Sequence, residues 1–122
     1  MEEYISVYKC LCDRTRLRIL NLLQQGPLCV CHVQHILGEP QPKVSKQLNY
    51  LKRHQMIESV RNANWTIYRL PEEPQPLLEE NLKCLQDLAF QKSIFLEDLA
   101  RLKQTDTSAA CSPQEDEATS GC

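Results

Sequence analysis

Residues 28–52 read LCVCHVQHILGEPQPKVSKQLNYLK, and this stretch decides the fold. Gly38-Glu39-Pro40 splits it into two short helical patterns. The first is expected over about Cys29 to Leu37, with Val30, Val33, Ile36 and Leu37 on one side of the helical wheel. The second is expected from Pro42, in the first-turn place that suits proline, to about His54. Its Val44, Leu48 and Leu51 repeat at i, i+4 and i+7 and form a buried stripe. Ser45, Lys46 and Asn49 fall on the opposite side. A pair of thiols, Cys29 and Cys31, therefore stands just upstream of a helix whose polar face suits a DNA groove.

On the N-terminal side, residues 3–11 form a short amphipathic helix. Asp13 is a favourable N-cap for a second helix running to about Gln25, where Gly26-Pro27 stops it. On the C-terminal side the apolar period changes to two. Residues 57–61 and 65–70 read as two strands, joined by Asn62-Ala63-Asn64, whose asparagines tolerate a positive φ. Pro71, Pro74 and Pro76 stiffen a connector into one long helix of about residues 77–103, with Leu78, Leu82, Leu85, Leu88, Leu96 and Leu99 as its apolar stripe. That stripe exceeds what one small domain covers and points to a dimer seam. From residue 104 to 122 large apolar residues almost vanish, and a disordered tail is expected. The layout is mainly α with a small β-hairpin: a winged helix-turn-helix domain over residues 1–103, paired as a homodimer through its first and last helices.

Composition narrows the function. The chain has 122 residues and a net charge of −2. Residues 41–69 carry six basic groups against Glu58 alone, while residues 70–122 carry four basic and eleven acidic ones. A basic middle in an acidic chain fits a polyanion on one face. Seven cysteines with no export signal fit reduced thiols in the cytoplasm, and no apolar run approaches a membrane span. There is no Cys-x-x-Cys in a βαβ setting, no nucleophile–base arrangement and no glycine-rich phosphate loop, so an enzyme is not expected.

Asp13-Arg14-Thr15-Arg16-Leu17-Arg18-Ile19-Leu20, Leu28-Cys29-Val30-Cys31, Gln41-Pro42-Lys43-Val44-Ser45-Lys46-Gln47-Leu48 and Trp65-Thr66-Ile67-Tyr68-Arg69-Leu70 follow in this order. Over about residues 4–100 the chain thereby resembles the ArsR/SmtB family of metal-responsive repressors. The resemblance implies a homodimer that binds operator DNA and leaves it when a metal or metalloid binds. Leu28-Cys29-Val30-Cys31 is similar to the thiol box of the arsenic- and cadmium-type members. The best-known arsenic pattern has a third cysteine three residues after the second, and here that position is Gln34.

Thiolates prefer soft ions, so As(III) or Sb(III) is the expected inducer, with Cd, Pb or Zn as the alternative and thiol oxidation as a rival signal. On an ideal helix Cys29 and Cys31 point nearly opposite ways, so sharing one ion would require the first turn to unwind. For a third sulfur, Cys12 beside the Asp13 cap is better placed than Cys10; each also reads as a small buried hydrophobe. Cys84 reads as core or dimer packing, and Cys111 and Cys122 as exposed tail thiols. His32 neighbours both thiols, and a Cys31–His35 pairing would favour zinc. For DNA, Gln41 and the helix from Pro42 form the candidate surface: Gln47 and Asn49 would pair with adenine and Lys46 with guanine, with Lys43 and Ser45 on phosphates. Arg61, Asn62 and Asn64 of the wing would reach the adjacent backbone or minor groove. Trp65 reads as a residue that fixes the hairpin to the body, and Arg69 either does the same or joins the wing residues at the DNA.

Overall fold

A computed structural model of the chain describes residues 1–89 and 93–105. Its elements are α1 (Glu2–Leu11), α2 (Arg14–Leu23), β1 (Leu28–Cys29), α3 (Val30–Leu37), α4 (Gln41–Arg53), β2 (Glu58–Asn62), β3 (Trp65–Arg69), α5 (Pro76–Ala89) and α6 (Ser93–Gln104). Of the tail expected from residue 104, Gln104 is the last residue of α6, and residues 106–122, with Cys111 and Cys122, lie outside the described residues.

Local chemistry sets the boundaries. Asp13 is extended, and its Oδ2 accepts the Arg16 N–H at 3.0 Å, which satisfies one of the open donors at the start of α2. Gly38 ends α3 in the left-handed region at φ 67°, and its N–H reaches the Gln34 carbonyl at 2.9 Å. A side chain is strained there, so glycine is the natural stop. Pro40 then caps α4, and Pro42 sits in its first turn.

α2 is the hub: it touches α1, α3, α4, α5 and α6. Ile19, Leu20 and Leu22 of α2, Val33 and Ile36 of α3, and Val44, Leu48 and Leu51 of α4 have no exposed surface. The apolar stripes read from the sequence are therefore the core. Replacing one such leucine by alanine typically costs about 2–5 kcal/mol.

Three features differ from the sequence reading. First, the sheet has three strands in the order β1-β3-β2, all antiparallel, because Leu28 and Cys29 pair with Tyr68 and Ile67. Second, the positive φ of the hairpin belongs to Ala63, at 57°, and not to the asparagines beside it. Third, the expected single last helix is two. A straight helix would separate residues 82 and 98 by about 24 Å, yet α5 and α6 both contact α2, with Leu82 and Asp98 both buried.

A buried carboxylate holds α6 in place. Asp98 receives two hydrogen bonds from Arg18, at 2.9 and 2.7 Å, and a third from Arg101 at 3.1 Å. The bond to Asp98 keeps the Arg18 guanidinium protonated against its burial. The same two arginines reach the end of α3: Arg101 Nε donates to the Ile36 carbonyl at 2.7 Å, and Arg18 Nη2 to the Leu37 carbonyl at 3.3 Å. The last helix is thus tied to the turn that precedes α4.

Candidate metal centre and nucleic-acid interface

The thiol site forms where a strand becomes a helix. Cys29 is the last residue of β1 and the N-cap of α3, with extended backbone (φ −89°, ψ 166°). The sequence reading places Cys29 inside the helix, which would point the two thiols apart. With Cys29 extended they converge instead: the Sγ atoms are 2.9 Å apart. The first turn does not have to unwind to bring them together.

His32 completes the group. Its Nδ1 is 3.3 Å from the Cys29 Sγ. Among the described residues, the donor atoms of Cys29, Cys31 and His32 form a cluster within 4.8 Å of one another. The spacing carried a signal that periodicity missed: Cys29 and His32 stand as N-cap and N3, the same interval that a capping box uses. Both cysteines are buried, His32 is half-buried, and Trp65 and Ile67 pack against the cysteine pair. Two sulfurs and an imidazole, without a carboxylate, fit a soft or borderline ion rather than calcium or magnesium.

The other candidate ligands lie elsewhere. Cys10 is wholly buried in the main core, and burial pushes its thiol up to about 11, with Arg16 acting weakly the other way. Cys12 is exposed at the C-cap of α1. Neither belongs to the three-donor group. Cys84, expected in packing, is exposed in the protomer. His35 is exposed, and His54 packs on Tyr50 with ring centroids 4.6 Å apart.

The basic face follows α4 and the hairpin. Lys46 and Asn49 are exposed, and among the described residues their side chains make no hydrogen bond or ion pair. Lys43 is exposed and pairs with Glu39 at 3.1 Å, a contact that solvent leaves easy to exchange. The Gln41 amide donates to the Ser45 hydroxyl. Gln47 is engaged inwards: its Oε1 accepts from Arg16 Nη1 at 2.9 Å. Arg16 also donates to the carbonyls of Lys9 and Cys10 and lies over the Tyr50 ring, 4.2 Å from its centroid. Arg16 therefore joins α1, α2 and α4, a role that charge counting alone did not reveal. Lys52 and Arg53 stand exposed at the end of α4. On the hairpin, Arg61, Asn62 and Asn64 are exposed; Arg61 Nη1 donates to Thr66 Oγ1 at 3.2 Å. Arg69 pairs with Glu58 across the two strands at 2.7 Å. Trp65, read as a fastener of the hairpin, is half-buried against the thiols.

A helix–turn–helix set on a helical core and followed by a β-hairpin defines a winged helix-turn-helix DNA-binding protein. The model of the bacterial regulatory protein, arsR family, matches residues 13–59, from the cap of α2 into β2. The chain belongs to that family and is a transcriptional regulator. Two similar proteins are arsenic resistance transcriptional regulators of Pseudomonas putida. ArsR1 is 44% identical over 57% of this chain and 56% of its own length. ArsR2 is 37% identical over 70% of this chain and 83% of its own. Among solved structures, the AntR antimony-specific transcriptional repressor has a TM-score of 0.60 and 30% identity, covering 75% of this chain and 83% of that one. The homodimeric winged helix-turn-helix domain of Mb0332 from Mycobacterium bovis has a TM-score of 0.62 and 26% identity, covering 74% and 81%. These relatives and this fold are those of DNA-binding regulators, not enzymes.

Proposed function

We propose that this protein is a metalloid-responsive repressor that binds operator DNA as a homodimer and releases it when As(III) or Sb(III) is captured by Cys29 and Cys31. The observation that carries the reading is the convergence of those two sulfurs on one side of the α3 N-terminus. The end of a helix that bears open N–H groups favours negative charge, and the thiolate is the form that binds a soft ion. The names of the arsenic-resistance and antimony-specific relatives support the same inducer class.

Lys46 and Asn49 are assigned to base edges, with Lys43, Ser45 and Gln41 at the phosphates and Arg61, Asn62 and Asn64 in the wing contacts. Gln47, held by Arg16, sets the seat of α4. The homodimer has support in the exposed Tyr4, Ile5 and Tyr8 of α1 and Leu96 of α6, large apolar side chains that a second subunit would cover. A two-fold dimer calls for an inverted-repeat operator. The regulatory domain is assigned to residues 1–103, the remainder being a tail, and its place of action to the cytoplasm. Among the described residues no helix is long and apolar enough to cross a membrane.

His32 favours a second reading in which a divalent ion, Cd, Pb or Zn, is the inducer. One experiment separates them: operator release followed by fluorescence anisotropy under titration with arsenite, cadmium and zinc. Arsenite acting at lower concentration than either divalent ion is the expected result. Release by zinc or cadmium but not arsenite selects the second reading. Release by an oxidant but by none of the ions makes the signal a redox one.

A further inference from the structure

We propose that capture of the soft ion reaches the DNA through the wing, by way of β3, and not through the recognition helix α4. The inference rests on the proposed function, since it assigns the path by which that site acts.

The thiol site is part of the wing's own sheet. Cys29 is the Cα partner of Ile67, so a change in the Cys29 backbone acts directly on β3. Trp65 and Ile67 are alternate residues of β3, share one face and pack against the Cys29–Cys31 cluster. Thr66, between them, faces the other way and is buried. It accepts the hydrogen bond of Arg61, its cross-strand partner on β2 and an exposed cation of the hairpin. One residue of β3 therefore separates the sulfurs from a guanidinium that can meet DNA.

The opposite route is anchored. The carbonyls of Ile36 and Leu37, at the far end of α3, are held by Arg101 and Arg18, and both arginines are held by the buried Asp98. α4 is held in turn by Arg16 through Gln47 and Tyr50. A disturbance at the first turn of α3 meets fixed groups on the way to α4, whereas the outer half of β2 is exposed along its length.

If the ion acts by removing the wing's contribution to binding, deleting that contribution beforehand removes the ion's effect. Contacts made by α4 then add independently. The quantity to measure is the ratio of operator dissociation constants with and without saturating arsenite, in the full-length protein. Wild type, Arg61→Ala and Lys46→Ala are compared; both residues are exposed, so both variants should fold, which circular dichroism checks. Couplings of this kind are typically about 5- to 150-fold. Lys46→Ala should weaken binding and keep the wild-type ratio. Arg61→Ala should weaken binding and bring the ratio close to one.

Trp65 supplies a second readout that needs no DNA, because it is the chain's single tryptophan. Its emission should change with arsenite, saturate at one ion per protomer, and stay constant in Cys29→Ser. A constant emission while mass spectrometry records arsenite bound overturns the inference. So does an Arg61→Ala ratio equal to wild type, or a ratio lost in Lys46→Ala; the proposed function survives all three results. A wild-type ratio near one removes the proposed function itself.

Discussion

The chain contains two Cys-x-Cys pairs with the same spacing, and the fold gives them opposite fates. Cys10 and Cys12 lie at the end of α1. One is sealed in the core and the other faces solvent. Residues two apart on a helix stand about 200° apart around its axis, so a divergent pair is what the geometry requires. Cys29 and Cys31 straddle the boundary between β1 and α3. The extended backbone of Cys29 swings its side chain back over the first turn, and the sulfurs meet. Whether such a pair can share an ion is decided by the secondary structure on which its first member sits.

The largest expected effect is on the convergent pair. Cys29→Ser or Cys31→Ser should abolish arsenite-driven operator release, so that a ratio of about 5- to 150-fold falls to one, while affinity without arsenite stays close to wild type. Next comes thiol reactivity. A thiol pushed up from 9.0 to about 11 carries roughly a hundredfold less thiolate at neutral pH. Iodoacetamide mapping by mass spectrometry should therefore find Cys12 modified long before Cys10.

The same burial makes stability depend on pH. The folded-state value of Cys10 lies above the unfolded one. Its contribution is therefore fully present below pH 9 and is lost as pH rises from about 9 to about 11. The loss is at most about 2–3 kcal/mol, measurable as a falling urea midpoint that flattens in this range for Cys10→Ala. The smallest effect is expected for Cys12→Ser, with near-wild-type release. A large loss of release there would make the exposed member of the divergent pair a third sulfur.

Much of the fold was readable before any coordinates. The cap at Asp13, the stop at Gly38, the proline in the first turn of α4 and the stripe Val44, Leu48, Leu51 act locally, and local signals survive in a sequence. β1 was not readable because two residues are too few to show a period, and their strand character comes from pairing with Tyr68 and Ile67, far along the chain. The division of the last helix into α5 and α6 escaped for a similar reason. Leucines repeat at helical spacing through both elements, while α6 is tied to α2 by the ion pair between Asp98 and Arg18, 80 positions apart.

The site divides along the same line. Cysteines 29 and 31 stood out by type and spacing, but their convergence depends on β1. Trp65 read as a fastener, although what it packs against gives it a further use. Gln47 read as a base contact because it stands on the polar side of α4. Arg16, 31 residues away, is what turns it inwards.

The central claim is that the pair at the strand–helix boundary captures the ion and the pair on α1 does not. Native mass spectrometry of arsenite-loaded protein tests it directly, with Cys10→Ser/Cys12→Ser set against Cys29→Ser/Cys31→Ser, since every other cysteine is common to both variants. One arsenic per protomer in the first and none in the second is the predicted result. Arsenic retained by the second and lost from the first would contradict it.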